Sequence, residues 1–260
     1  MLKCRDMGII AKVRFKLMGP AKIPADMPER VKKIEELAKR PMTDDKATRR
    51  VEIIMLKFKE EPKVIDKAIS NIIHFTDHPF KLTVYDNRLN PPNTSKIWNK
   101  LVSESSCDYI MLIDSDAFVP KTSPCWLTRM MESIDEAGLV LSVGDNVSGG
   151  NHATRAAQYP SAEKYTFAKF RGAWTGYCFL FKKSLWQEHP FDERFYMYGQ
   201  DSAWGLERDH EAGAILRKDV LVRHLHSYSF KKAAAAGELD RDADKQYARA
   251  LYKRMSEGNA

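Results

Sequence analysis

A chain of 260 residues, 43% apolar and 30% charged, is long enough to bury one substantial core, and no run in it approaches the roughly 18 apolar residues of a membrane helix. Cys4, Cys107, Cys125 and Cys178 are scattered with no C-x-x-C pair, and no secretory leader follows Met1; a reduced, cytoplasmic protein without a disulfide framework or a cysteine zinc site is expected. The net charge of +7 is localised: residues 1–50 hold 14 Lys and Arg against 7 Asp and Glu, leaving 28 against 28 for the balanced remainder.

Residues 9–17 alternate, with Ala11, Val13, Phe15 and Leu17 opposite Lys12, Arg14 and Lys16, which predicts a strand with a basic outer face. Asp26-Met27-Pro28-Glu29 opens a helix carrying Val31, Ile34, Leu37 and Ala38 on one side and ending before Pro41. A strand follows over Val51–Leu56. The spacing of Val64, Ile65, Ala68, Ile69 and Ile72 then predicts a helix from Pro62 to Phe75. A strand over Lys81–Asn87, a loop through Asn93, a helix near Ser95–Ser103 and an apolar strand over Tyr109–Asp114 complete a β-α-β-α-β order. That order predicts an α/β fold with a mostly parallel central sheet flanked by helices. Beyond it the sequence predicts a helix over Trp126–Ala137, a strand over Leu139–Val143, a polar, Gly-rich loop through Asn151 and a strand within Trp174–Lys182. A helix over Asp201–Gly213, a strand over Val220–Leu225 and a charged helix near Asp240–Met255 follow. Three parts result: a basic strand-helix extension over 1–50, a body over 51–230 and a helical tail over 231–260.

The apolar run Tyr109–Ile113 ends in Asp114-Ser115-Asp116, two carboxylates one residue apart at the carboxyl end of a buried strand. Open α/β sheets bind ligands there, and the pair is close enough in sequence to share a hard divalent cation. The same tripeptide also reads as a polar turn that caps the next segment. No G-x-G-x-x-G follows the first strand, and neither a P-loop nor a G-x-S-x-G elbow is present, which argues against dinucleotide, P-loop and serine-hydrolase chemistry. Carboxylates at strand ends and the late histidines His224 and His226 remain, a set suited to a metal-held diphosphate.

The order of Asp86-Asn87, Asp114-Ser115-Asp116, the stretch from Phe191-Asp192-Glu193-Arg194-Phe195 to Gly199-Gln200-Asp201, and His224 resembles the family 2-type glycosyltransferases of the GT-A fold over about residues 51–228. The resemblance implies a nucleotide-diphosphate sugar as donor, UDP favoured. It implies that Leu56, Lys57 and Phe58 bind the base, that Asp86 contacts base or ribose, and that Asp114 contacts ribose. Asp114, Asp116 and His224 would hold Mn²⁺ or Mg²⁺, with His226 as the alternative to His224. Trp174 and Gly176 would shape the sugar pocket, Gly176 by leaving room for the donor, although Trp174 equally suits a core. Asp201 would act as general base in an inverting transfer, or else only cap its helix.

Two positions depart from the family pattern: Gln200 stands where many members have Glu, and Ala203 where a further acid is frequent. The acceptor class expected from the resemblance is a glycan or lipid-linked sugar. The basic face of Lys12, Arg14 and Lys16, with Arg30, Lys32, Lys33, Lys39 and Arg40, keeps open contact with an anionic surface or transfer to a hydroxymethylated base of DNA. The departures at Gln200 and Ala203 keep open a non-catalytic binding module.

Overall fold

The structure is a computed structural model that describes residues 49–88, 93–144, 166–168, 176–197, 199–207 and 214–225, with a few positions between 246 and 253. The basic strand and helix expected within residues 1–48, and most of the C-terminal tail, lie outside the described residues.

The first half is built as the β-α-β-α-β order predicts: β1 (Val51–Lys57), α1 (Pro62–Phe75), β2 (Phe80–Asp86), α2 (Thr94–Glu104) and β3 (Tyr109–Asp114). Pro62 occupies the first turn of α1, where an N–H would have no helical partner, and Val64, Ile65, Ala68 and Ile72 form its buried face. The helix stops at Thr76, whose hydroxyl donates to the Ile72 carbonyl at 2.6 Å. Asn93 caps α2 by accepting the Lys96 N–H at 2.9 Å. β1 lies between β2 and β3 and is parallel to both, with Lys57 opposite Asp86 and Leu56 opposite Asp114. Alternation along β1 sends Val51, Ile53 and Met55 into one core layer with Trp126 and Met130, and Ile54 into the other with Phe179, Phe181 and Trp204. A strand covered on both faces accounts for the near-continuous apolar runs.

The second half comprises β4 (Ala117–Phe118), α3 (Trp126–Glu132), α4 (Ile134–Ala137), β5 (Leu139–Gly144), β6 (Thr166–Ala168), β7 (Cys178–Lys182), α5 (Lys183–Glu188), α6 (Gln200–Glu207) and β8 (Ala214–His224). The strand order is β2-β1-β3-β7-β5-β8-β4, with β6 pairing to β8. β7 runs antiparallel to both β3 and β5, β8 runs parallel to β5, and β4 and β6 run antiparallel to β8. Thus β1, β2, β3, β5 and β8 share one direction, while β7, inserted in the middle, makes the sheet mixed. The run Cys178–Phe181 is buried on both faces, and such a pattern carries no information about strand direction.

β4, β6 and α5 have no counterpart among the predicted elements, and two of the predicted elements differ from their sequence expectations. The helix over Trp126–Ala137 is divided at Ser133. β8 begins at Ala214 rather than near Val220, because its charged residues are neutralised inside the fold. Arg217 donates to both carboxylate oxygens of Asp219 at 2.8 and 2.7 Å, to Glu132 at 3.2 Å and to the Ser133 hydroxyl at 3.1 Å. A register shift between Ser142 and Val143 of β5 accommodates this stretch. No described helix is long and apolar enough to cross a membrane.

His78 is buried, its Nε2–H donating to the Arg49 carbonyl at 2.6 Å and its Nδ1 accepting the Thr128 hydroxyl at 3.4 Å. Burial lowers its pKa from 6.5, the Arg49 carbonyl opposes that shift, and the Arg49 charge adds to it. The unfolded chain therefore takes up this proton first, and stability is lost as pH falls through and below 6.5. The urea midpoint is expected to fall between about pH 7.5 and about pH 5.5, with a shallower pH slope in His78→Gln.

Candidate active site

The site forms where β3 ends. The Asp114 N–H donates to the Tyr177 carbonyl at 2.9 Å, which fixes the strand end against the residue preceding β7. The chain turns through Ser115 and Asp116 into β4, whose Ala117 pairs with His224 of β8, and the Leu225 N–H donates to the Asp116 carbonyl at 3.2 Å. This short ladder carries the imidazole to the two carboxylates. His224 Nε2 lies 3.2 Å from Asp114 Oδ2 and 3.1 Å from Asp116 Oδ1. Candidate ligand atoms of Asp114, Asp116 and His224 all fall within 4.8 Å of one another. Asp116 and His224 are buried, whereas the Asp114 side chain is 41% exposed, so the cluster is closed behind and open on one side.

Burial alone would lower the His224 pKa, but the Asp116 and Asp114 carboxylates outweigh it and raise the imidazolium to about 10. Positive charge is thus strongly favoured between these carboxylates. Two carboxylate oxygens and one imidazole nitrogen facing a common space match the donor chemistry of a divalent cation such as Mn²⁺ or Mg²⁺.

Asp201 stands in the first turn of α6. Its Oδ2 accepts the Gly176 N–H at 2.5 Å. Burial pushes its carboxyl up to about 6, the backbone N–H groups of Gly176 and Ser202 oppose this, and the Asp114 charge adds to it. A Cβ built on Gly176 would lie 2.7 Å from Asp201 Cβ and 2.9 Å from Phe179 Cε1. The space that Gly176 leaves is therefore occupied by Asp201 and Phe179. This packing constraint beneath the acid stands beside the donor-accommodating role that the resemblance implies for Gly176.

The stretch leading to Asp201 is braced from several sides. Asn99 of α2 donates to the Phe191 carbonyl at 2.8 Å and accepts the Phe191 N–H at 3.0 Å, and the Thr94 N–H donates to the Tyr196 carbonyl at 2.6 Å. The Tyr247 hydroxyl donates to Asp192 at 2.8 Å while the Arg194 guanidinium lies 4.7 Å from the Tyr247 ring centroid. Gly199, at φ 87°, supplies the left-handed turn into α6. Ala203 is fully buried in this helix, where a carboxylate would be enclosed by the core.

The other candidates line the same end of the sheet. Leu56 and Lys57 are partly open, while Phe58 is buried with its N–H donating to Glu60 Oε2 at 2.9 Å. Asp86 is exposed and paired with Arg88, whose guanidinium and backbone N–H hold its carboxyl at about 2. Its neighbour Asn87 is buried and its Oδ1 has no hydrogen-bond partner among the described residues, an acceptor that the sequence reading assigned no role. Trp174, His226 and the basic residues Lys12 to Arg40 lie outside the described residues.

Neither a protein-family model nor a curated protein sequence matches the chain. Solved structures do. S. aureus TarS 1–349 in complex with UDP-GlcNAc aligns with a TM-score of 0.52 at 14% identity, over 79% of this chain and 72% of that one. GalNAc-T7 with UDP, GalNAc and Mn²⁺ aligns with a TM-score of 0.51 at 10% identity, over 67% of this chain. The chain has the fold of the GT-A glycosyltransferases. It spans 43% of the length of the GalNAc-T7 chain. In this GT-A sheet the Asp-Asp-His cluster and Asp201 sit beyond the carboxyl ends of β1, β2 and β3, the edge where open α/β sheets receive ligands.

Proposed function

We propose that the chain is a metal-dependent glycosyltransferase that moves a sugar from a nucleoside-diphosphate donor, UDP favoured, to an acceptor hydroxyl on a glycan or lipid-linked sugar. The observation that carries this reading is the approach of Asp114, Asp116 and His224 within 4.8 Å at the open edge of a GT-A sheet. UDP is favoured because similar folds hold UDP or UDP-GlcNAc. Asp114, Asp116 and His224 are the residues to hold the cation, and the mixed carboxylate and imidazole set suits Mn²⁺ better than Mg²⁺. A divalent cation held by these residues would offset the negative charge that develops on the departing diphosphate.

The chain's own groups supply the rest. Leu56, Lys57 and Asp86 line the base and ribose side, with Phe58 supporting them from the interior. Asp201 removes the proton from the acceptor hydroxyl. A carboxyl titrating near 6 is ionised at neutral pH yet more basic than an ordinary aspartate, which suits a general base. Attack from the face opposite the departing diphosphate inverts the anomeric centre.

A thermal-shift series tests the site. UDP with Mn²⁺ at about one hundred times its dissociation constant should stabilise the fold by about 2.7 kcal/mol. Chelation or Asp116→Ala should remove that gain, and an equal gain in either case would refute the metal assignment. Slow Mn²⁺-dependent hydrolysis of UDP-sugar by the unaltered chain separates a transferase from a binding module.

A further inference from the structure

We propose that Tyr177 is a positioning residue that fixes the plane of the His224 ring against Asp114 and Asp116, an inference that rests on the metal-site reading above. The two rings stack with centroids 5.0 Å apart and planes 19° from parallel. Tyr177 is buried at 5% exposure, and its hydroxyl donates to the Ser142 carbonyl on β5 at 3.4 Å. Its carbonyl accepts the Asp114 N–H at 2.9 Å. On the far side, a Cβ at Gly144 would stand 3.0 Å from the Tyr177 hydroxyl oxygen, so the phenol fills the space that this glycine leaves. One residue thus touches the backbone of one candidate ligand and the ring of another while being held by a third strand.

Ring orientation matters because the lone pair of an imidazole nitrogen lies in the ring plane, whereas rotation about the Cβ–Cγ bond of His is soft. Two carboxylates draw Nε2 toward them but leave a range of ring rotations within reach. A flat aromatic face at stacking distance does select one, and it is available whether the imidazole is neutral or charged. Groups that orient a metal-bound histidine typically change affinity by about 10–100-fold when removed.

Tyr177→Phe keeps the flat face and loses the hydroxyl, whereas Tyr177→Leu keeps apolar bulk and loses the face. Mn²⁺ dissociation constants are measured on the full chain with UDP present, using the electron paramagnetic resonance signal of free Mn²⁺, alongside urea midpoints. The expected result is that Tyr177→Phe keeps the affinity and Tyr177→Leu weakens it about tenfold or more. Wild-type affinity in a folded Tyr177→Leu would overturn the positioning role and leave the metal site standing. Absence of Mn²⁺ binding by the unaltered chain would overturn the metal site and this role together. Should Tyr177→Leu fail to fold, the proton resonances of the His224 ring decide, assigned by their loss in His224→Gln. Upfield ring-current shifts in the wild type and Tyr177→Phe support the stack, and unshifted positions overturn it.

Discussion

Asp201→Asn is expected to lower transfer by about 10²–10⁴-fold while raising the melting temperature. The two effects share one cause. Burial lifts the carboxyl from 3.8 to about 6, so the folded state disfavours the ionised form relative to the unfolded chain. Ionisation of this group therefore costs stability above the folded pKa, and that cost disappears as pH falls from about 6 towards 3.8. An amide removes the cost at neutral pH, and its oxygen can still accept the Gly176 N–H. It cannot take a proton from the acceptor. Asp114, Asp116 and His224 are untouched, so Mn²⁺-dependent stabilisation by UDP should persist in the variant. The wild-type kcat/KM should show an acidic limb near pH 6, with UDP and Mn²⁺ binding measured at each pH to separate loss of base from loss of metal. Retained turnover in Asp201→Asn would remove Asp201 from the chemistry and leave its carboxylate as a helix-start residue.

Much of the first half was legible because each signal was local. The apolar spacing of α1, Pro62 at its start and the continuous runs of β1 and β3 each determine their element without distant partners. The placement of Asp114 and Asp116 followed from the same logic, since a buried strand ending in carboxylates puts them at the sheet edge. That His224 reaches them was implied only by family resemblance. Physically it depends on β4, a strand of two residues whose pairing with β8 has no periodic signature. The start of β8 was hidden because Arg217 and Asp219 look like loop residues until their burial and mutual pairing are known. Tyr177 offered no signal either, because stacking between residues far apart in the chain leaves no trace in either stretch of sequence. Gly176 was visible as a constrained position, but which neighbour constrains it is a tertiary fact. Phe58 shows the same limit: the resemblance implied a base-binding role for it, and its burial is a tertiary fact that its local sequence does not carry.

Gly176→Ala should lower transfer nearly as far as Asp201→Asn and, unlike it, destabilise the fold. The new methyl would meet Asp201 Cβ at 2.7 Å, Phe179 Cε1 at 2.9 Å and Asp201 Oδ2 at 3.0 Å. Phe179 has no room to retreat: it is fully buried and packs against Trp98, Phe181 and Trp204. Asp201 is carried by α6, whose Ala203 and Trp204 are buried, Trp204 in the same layer as Phe179. The overlap is relieved only by shifting the first turn of α6 or the approach to β7, and either motion breaks the Gly176 N–H contact to the carboxylate. Overpacking of this kind costs about 1–3 kcal/mol, to be read from urea midpoints. Coupling identifies the cause of the lost activity. If the methyl acts by displacing Asp201, the variant carrying both Gly176→Ala and Asp201→Asn should turn over no more slowly than Asp201→Asn alone, because the same carboxylate is lost once. If Gly176 instead made room for the donor sugar, the substitution would raise the donor KM and its effect would multiply with that of Asp201→Asn. Steady-state kinetics of the two single variants and the double variant distinguish a glycine that accommodates the base from one that accommodates the substrate.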